Sequence, residues 1–156
     1  MNAEAEIEGP YRYTLFRNWE MKPYITWVML NPSTADALKD DATIRKCIAF
    51  SKLWGYGGIA VVNLFAFRST DPKKLSRVKD PVGPKNDEYI RTTCWSYQTA
   101  VVAWGRNGDR FPKRVESVLL TVKESGTNIM HLGKTTTGQP KHPLYLSLKT
   151  PLQVWA

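Results

Sequence analysis

Four short apolar runs, separated by segments of helix length, constrain this chain more than any other feature. They are residues 24–30 (YITWVML), 59–64 (IAVVNL), 99–104 (TAVVAW) and 128–132 (NIMHL). Runs that are apolar throughout, rather than alternating, mark strands buried on both faces. The intervening segments carry helical patterns. Asp40 and Asp41 offer N-caps for a helix reaching Trp54, with Ile44, Cys47, Ile48 and Leu53 inward. Residues 85–97 place Ile90, Cys94 and Tyr97 at helical spacing, and residues 109–124 gather Phe111, Val115, Val118, Leu119 and Val122 on one stripe. Strands alternating with helices predict a parallel sheet covered on both faces, joined by right-handed crossovers.

Residues 11–16 (YRYTLF) alternate and are aromatic, so they predict a half-buried strand pairing antiparallel with residues 24–30 across a short turn. The expected fold is therefore α/β: a three-layer sandwich with a mainly parallel four-stranded sheet plus an N-terminal antiparallel edge strand. Residues 65–84 read as a long loop with one helical turn started by Asp71-Pro72. The segment from Leu144 to the end closes in a short strand or helix whose type stays open.

A length of 156 residues suits one domain, expected over 10–156, behind a loose acidic tail at 1–9. No apolar run approaches the roughly 18 residues of a membrane span, so no membrane partner is expected. The opening MNAEAEIEGP lacks an apolar signal region, which favours a cytoplasmic protein. Cys47 and Cys94 fit buried apolar positions. With His131 and His142 they show no ligand spacing, so neither metal nor cofactor is expected.

Charge points to a partner. The net charge is +8, and Glu4, Glu6 and Glu8 lie in the first nine residues, leaving 22 basic against 11 acidic residues in 10–156. Such a balance favours a polyanion, nucleic acid or nucleotide, although it also serves solubility.

In open α/β sheets, ligands bind beyond the carboxyl ends of the strands. Four polar loops leave the apolar runs there, beginning at Asn31, Asn63, Gly105 and Gly133. The proline after Asn31 holds its backbone extended, which aims a carboxamide, or a water on it, at a fixed point; the alternative is an Asx-type turn. Pro32, Ser33 and Thr34 continue this loop, and Asp36 is its candidate catalytic carboxylate. Asn63 offers a hydrogen-bonding edge to a ligand or to its own loop. Phe65 and Phe67 offer stacking surfaces or core packing, and Arg68 a phosphate contact or a solvated charge. Arg106, Asn107 and Arg110 sit between a strand and a helix, where an anion is favoured. Gly133-Lys134-Thr135 lacks the earlier glycine of a Walker loop, which argues against a P-loop kinase. Lys134 and Lys141 remain candidate phosphate ligands. His142, followed by Pro143, is a candidate acid or donor to developing negative charge.

The segments MLNPSTAD, WGYGG, VVNLFAFRSTDP, the AWG strand end and LGKTTTGQPKHPLYL resemble the bacterial and phage domain-of-unknown-function family 1643, over most of the chain from Tyr11. More distantly, the motif order is similar to that of the uracil-DNA glycosylase superfamily, in which a strand ends in Asn-Pro and another leads into Asn-Leu. Asn31-Pro32 and Asn63-Leu64 match these, and His142-Pro143 matches a late histidine loop of some branches. Ser33 and Leu144 depart from that pattern, replacing a glycine and a serine. The resemblance implies that Asn31 positions a water, Asn63 reads a base and His142 stabilises the departing base. The expected function is a nucleic-acid-acting domain that cleaves the N-glycosidic bond of a modified or mismatched base flipped from the duplex. The alternatives are a non-catalytic nucleotide or nucleic-acid binding module, and a hydrolase or transferase of a free nucleotide.

Overall fold

The computed structural model describes residues 2–156. It contains strands β1 (Asn2–Glu8), β2 (Tyr11–Asn18) and β3 (Tyr24–Met29), helix α1 (Ala42–Leu53), strand β4 (Gly58–Asn63) and helix α2 (Asn86–Tyr97). Strand β5 (Thr99–Val102), helix α3 (Pro112–Glu124), β6 (Asn128–His131) and β7 (Gln153–Val154) complete it. The sheet is mixed and seven-stranded, in the order β1-β2-β4-β3-β5-β6-β7. Its interior follows from the four apolar runs, since β3 lies between β4 and β5 and each of the pairs β3–β4, β3–β5 and β5–β6 is parallel.

Both faces are covered. Alternation along β3 sends Ile25, Trp27 and Met29 to one face, where Ile44, Cys47, Ile48 and Phe50 of α1 pack. Val28 points to the other, against Ile90 and Cys94 of α2 and Val118 and Val122 of α3. Asp41 caps α1 by accepting the Ile44 N–H at 2.9 Å. Phe50 and Ser51 fill the inner side near the end of α1, with Ser51 Oγ accepting Trp27 Nε1–H at 3.0 Å, whereas Leu53 turns outward to 63 % exposure. No helix among the described residues is long and apolar enough to cross a membrane.

Three expectations change. Residues 2–8 are not a loose tail. Their alternation of Glu with Ala and Ile is a period-two pattern, and they form β1, antiparallel to β2. Strand β2 does not pair with β3 but lies antiparallel to β4, Leu15 facing Val61. The cause is a contact distant in sequence: Trp19 and Glu20 N–H groups both donate to Gly57 O, carrying the connection across the start of β4 instead of folding it back. Helix α3 begins at Pro112, because proline suits a first helical position and interrupts an interior one; residues 106–110 form a separate 3₁₀ turn. The turn at Asp71-Pro72 is present as the 3₁₀ segment Pro72–Ser76.

Candidate functional site

The strand exits converge. Met29 O accepts Leu64 N–H at 2.9 Å and Leu30 O accepts Phe65 N–H at 3.0 Å, so the β3–β4 ladder continues past both strand ends. Ala103 N–H, just past β5, donates to Val28 O at 2.9 Å. A cavity of about 180 Å³ opens at this carboxyl edge, walled by Asn31, Ser33, Asn63, Asn107 and His142 together with Arg12, Asp41, Thr43, Ser69 and Trp104.

Asn63 is the last residue of β4 and 1 % exposed. Neither its Oδ1 nor its Nδ2 has a hydrogen-bond partner. An unsatisfied buried polar group costs about 1–3 kcal/mol, so this carboxamide is held at the cavity against its own stability. Its backbone is fixed independently: Asn86 Nδ2 donates to Asn63 O at 2.9 Å and to Leu64 O at 3.2 Å.

Asn31 is braced from the amide side. Its Nδ2 donates to Ser69 O at 2.8 Å and to Pro32 O at 3.1 Å, so the side chain both shapes the loop and keeps Oδ1 for another donor. Ser69 N–H returns to Pro32 O at 2.9 Å, which locks the loops after β3 and β4 together.

His142 is placed by a short zipper. Gly105 N–H donates to Pro140 O at 2.9 Å, Lys141 N–H to Gly133 O at 2.9 Å, and Trp104 Nε1–H to Gln139 Oε1 at 2.8 Å. Asp109 accepts from Thr137 Oγ1 at 2.6 Å and from Gln139 Nε2 at 3.0 Å. Gly105 has φ +78°, and a side chain there would put Cβ 3.1 Å from His142 Cβ. Leu144 N–H donates to His142 Nδ1 at 3.2 Å, so the neutral ring carries its proton on Nε2. Burial lowers its pKa, partly opposed by the negative charge of Asp41. At neutral pH the imidazole is an uncharged donor.

Arg12 supplies positive charge from β2. It is 2 % exposed, its Nη1 donates to Ala35 O at 2.9 Å, and its Nε has no partner. Burial pulls its pKa down to about 10, with Asp41 opposing. Arg12, Thr43, Ser69 and Trp104 escaped the sequence reading. An arginine within an aromatic alternating strand reads as solvent-facing, and Asp41 reads first as a cap or a solvated residue, with a catalytic carboxylate among Asp36, Asp40 and Asp41 as the lesser alternative. The polar cluster STD at 69–71 was the one available signal for Ser69.

Other candidates lie elsewhere. Asp36 accepts from Leu38 and Lys39 N–H at 2.9 Å each, which lowers its pKa, and it is not among the cavity walls. Pro32 and Pro143 are buried supports, and Thr34 is exposed. Phe65 packs edge-on against Phe111, centroids 4.6 Å apart, and Phe67 meets Tyr11 at 6.4 Å, so both are in packing contacts. Arg68 Nε reaches Ser33 O at 3.5 Å. Arg106, Arg110 and Lys141 are exposed, and Lys134 Nζ sits 4.4 Å from the Trp155 ring centroid. The thiols of Cys47 and Cys94 are buried and unpaired, and burial pushes the Cys94 pKa up to about 12.

No curated protein and no solved structure matches the chain. A family model does match, over residues 12–144, and that span takes in every wall of the cavity. The chain belongs to the family described as protein of unknown function (DUF1643).

Proposed function

We propose that the cavity receives a single nucleobase and that the chain acts on nucleic acid as an N-glycosylase-type hydrolase. Asn63 carries the proposal: a buried carboxamide with one donor group and one acceptor, both unpartnered, complements the adjacent C=O and N–H of a lactam base. Size supports it. A volume of about 180 Å³ is below the roughly 300–1,000 Å³ of pockets enclosing drug-sized ligands, so it suits one ring rather than a whole nucleotide. The sugar and its phosphates would then stay outside, near the exposed cations Arg106, Arg110 and Lys141.

The chemistry follows from three groups that share the cavity with Asn63: His142, Arg12 and Asn31. The C1′–N bond breaks with its electron pair moving to the base, leaving an oxocarbenium-like sugar. His142 Nε2–H donates to the oxygen where the base accumulates charge, and the Arg12 guanidinium favours the same charge through the cavity. A water on Asn31 Oδ1 adds to C1′ through its oxygen and releases a proton to solvent. The resemblance of Asn31-Pro32, Asn63-Leu64 and His142-Pro143 to uracil-DNA glycosylase motifs supports the same roles.

The test is incubation with duplexes carrying single modified or mismatched bases, followed by alkaline cleavage at abasic sites. Strand breaks at one base class are expected; no abasic product together with no binding refutes the proposal. Asn31→Ala separates enzyme from binding module, since the enzyme loses turnover while keeping affinity.

A further inference from the structure

Two arginines of β2 are equally buried, each 2 % exposed, yet only one is neutralised. Arg17 Nε pairs with Asp40 at 2.7 Å, and its remaining nitrogens donate to the carbonyls of Phe16 and Asp36. Arg12 forms no salt bridge among the described residues, and only its Nη1 is engaged, on Ala35 O. A buried cation without a counter-ion is costly, and the Nε side of its fork is the geometry that grips a carboxylate. The charges around it are mixed: Asp41 and Asp36 attract, Arg17 and Arg68 repel. Asp36 is turned into its own loop and Arg17 is paired with Asp40, so Arg12 faces the cavity with Asp41 as the other charged wall.

The amino end of α1 meets the same space. Thr43 and Ile44 wall the cavity, and Asp41 Oδ1 takes the Ile44 N–H. The N–H groups of Ala42 and Thr43 precede the first intrahelical bond, so they remain donors at the positive end of a 12-residue helix. Arg12, Asp41, Thr43 and Ile44 thus wall the same cavity as Asn31, Asn63 and His142.

We propose that the ring bound here is anionic: a pyrimidine-sized heterocycle bearing a carboxylate, its amide edge on Asn63 and its carboxylate between Arg12 and the start of α1. This rests on the reading that the cavity takes a base-sized ring, and it narrows the substrate to acid-substituted bases.

Three probes of nearly equal shape test it by calorimetric titration: uracil, orotate, which adds a carboxylate, and orotamide, which replaces that carboxylate with a neutral amide. The wild-type chain is expected to bind orotate roughly 10- to 100-fold more tightly than orotamide, the range of a charge-assisted hydrogen bond. Arg12→Met is expected to abolish the difference between orotate and orotamide, and a urea melt of the variant reports whether it is folded. Arg12→Lys keeps part of that difference. Asp41→Asn preserves the helix cap, because asparagine caps as well as aspartate, and tightens orotate while sparing uracil. Equal affinities for orotate and orotamide, with uracil bound, overturn the anionic ring and leave the base-binding reading standing. Failure of all three to bind overturns both. If Arg12→Met does not fold, the wild-type comparison of orotate with orotamide still decides.

Discussion

Replacing Asn63 with leucine is expected to make the ligand-free protein more stable while abolishing ligand binding. Most substitutions of a fully buried residue do the reverse. Asn63 is 1 % exposed, and both polar atoms of its carboxamide lack partners, so folding strips water from them without replacing its hydrogen bonds. Each such group costs about 1–3 kcal/mol. Leucine removes that penalty and adds apolar burial, and the adjoining cavity gives its extra methyl groups room. A net gain of about 1–3 kcal/mol is expected, since some overpacking offsets it. In a chain of this length each kcal/mol moves Tm by about 2–4 °C. The assay is urea denaturation of wild type and Asn63→Leu, with unchanged m-values confirming a common transition. Asn86→Leu is the internal contrast. That asparagine is equally buried and its Oδ1 is also unpartnered, but its Nδ2 holds the carbonyls of Asn63 and Leu64, so its loss is expected to cost stability rather than add it. A destabilised Asn63→Leu with a wild-type m-value refutes the reasoning, because the carboxamide would then be satisfied in solution.

Four further outcomes follow from the same geometry. Arg17→Met removes the partner of Asp40 and the donor to Asp36 O, and should cost about 3–5 kcal/mol in urea denaturation, with faster proteolysis of residues 33–41. Gly105→Ala demands an unfavourable φ and pushes Cβ against His142, so turnover should fall further than stability, measured by parallel kinetics and thermal melts. Because burial lowers the His142 pKa below 6.5, the unfolded chain binds more protons than the folded one in the window below that value; this contribution to stability is fully present above pH 6.5 and is lost as pH falls, and melts of wild type against His142→Gln should show it. Cys47 and Cys94 should resist a thiol reagent until the chain unfolds, seen as no colour in native buffer and two equivalents in denaturant.

Much of the site was legible because the rule that ligands gather beyond parallel strand ends depends only on recognising the strands. Asn31 and Asn63 follow or close an apolar run, His142 lies in the loop that leaves the last one, and the chain brings all three to one cavity. Arg12 was not legible, because its burial depends on pairing. Strand β2 lies between β1 and β4, so its side chains are covered on a sheet interior rather than at an edge. That placement follows from the Gly57 carbonyl gathering two N–H groups, a contact between residues nearly 40 apart. Asp36 and Asp41 are indistinguishable by type and differ only in which one the loop turns toward the cavity. The start of α1 at its Asp41 cap was legible, whereas the start of α3 moved because Pro112 overrode the apolar pattern.

Strand β1 also governs how the chain meets its neighbours. It occupies the outermost position of the sheet, with Glu4, Glu6 and Glu8 exposed, and Lys85 Nζ holds its far end through Glu8 at 2.8 Å. A charged outer strand repels a second chain that would otherwise extend the sheet. Trimming residues 2–8 as a dispensable tail would uncover the aromatic-rich strand one position deeper, Tyr11–Asn18, where no acidic residue stands guard. Loss of solubility, rather than loss of the cavity, would be the first sign.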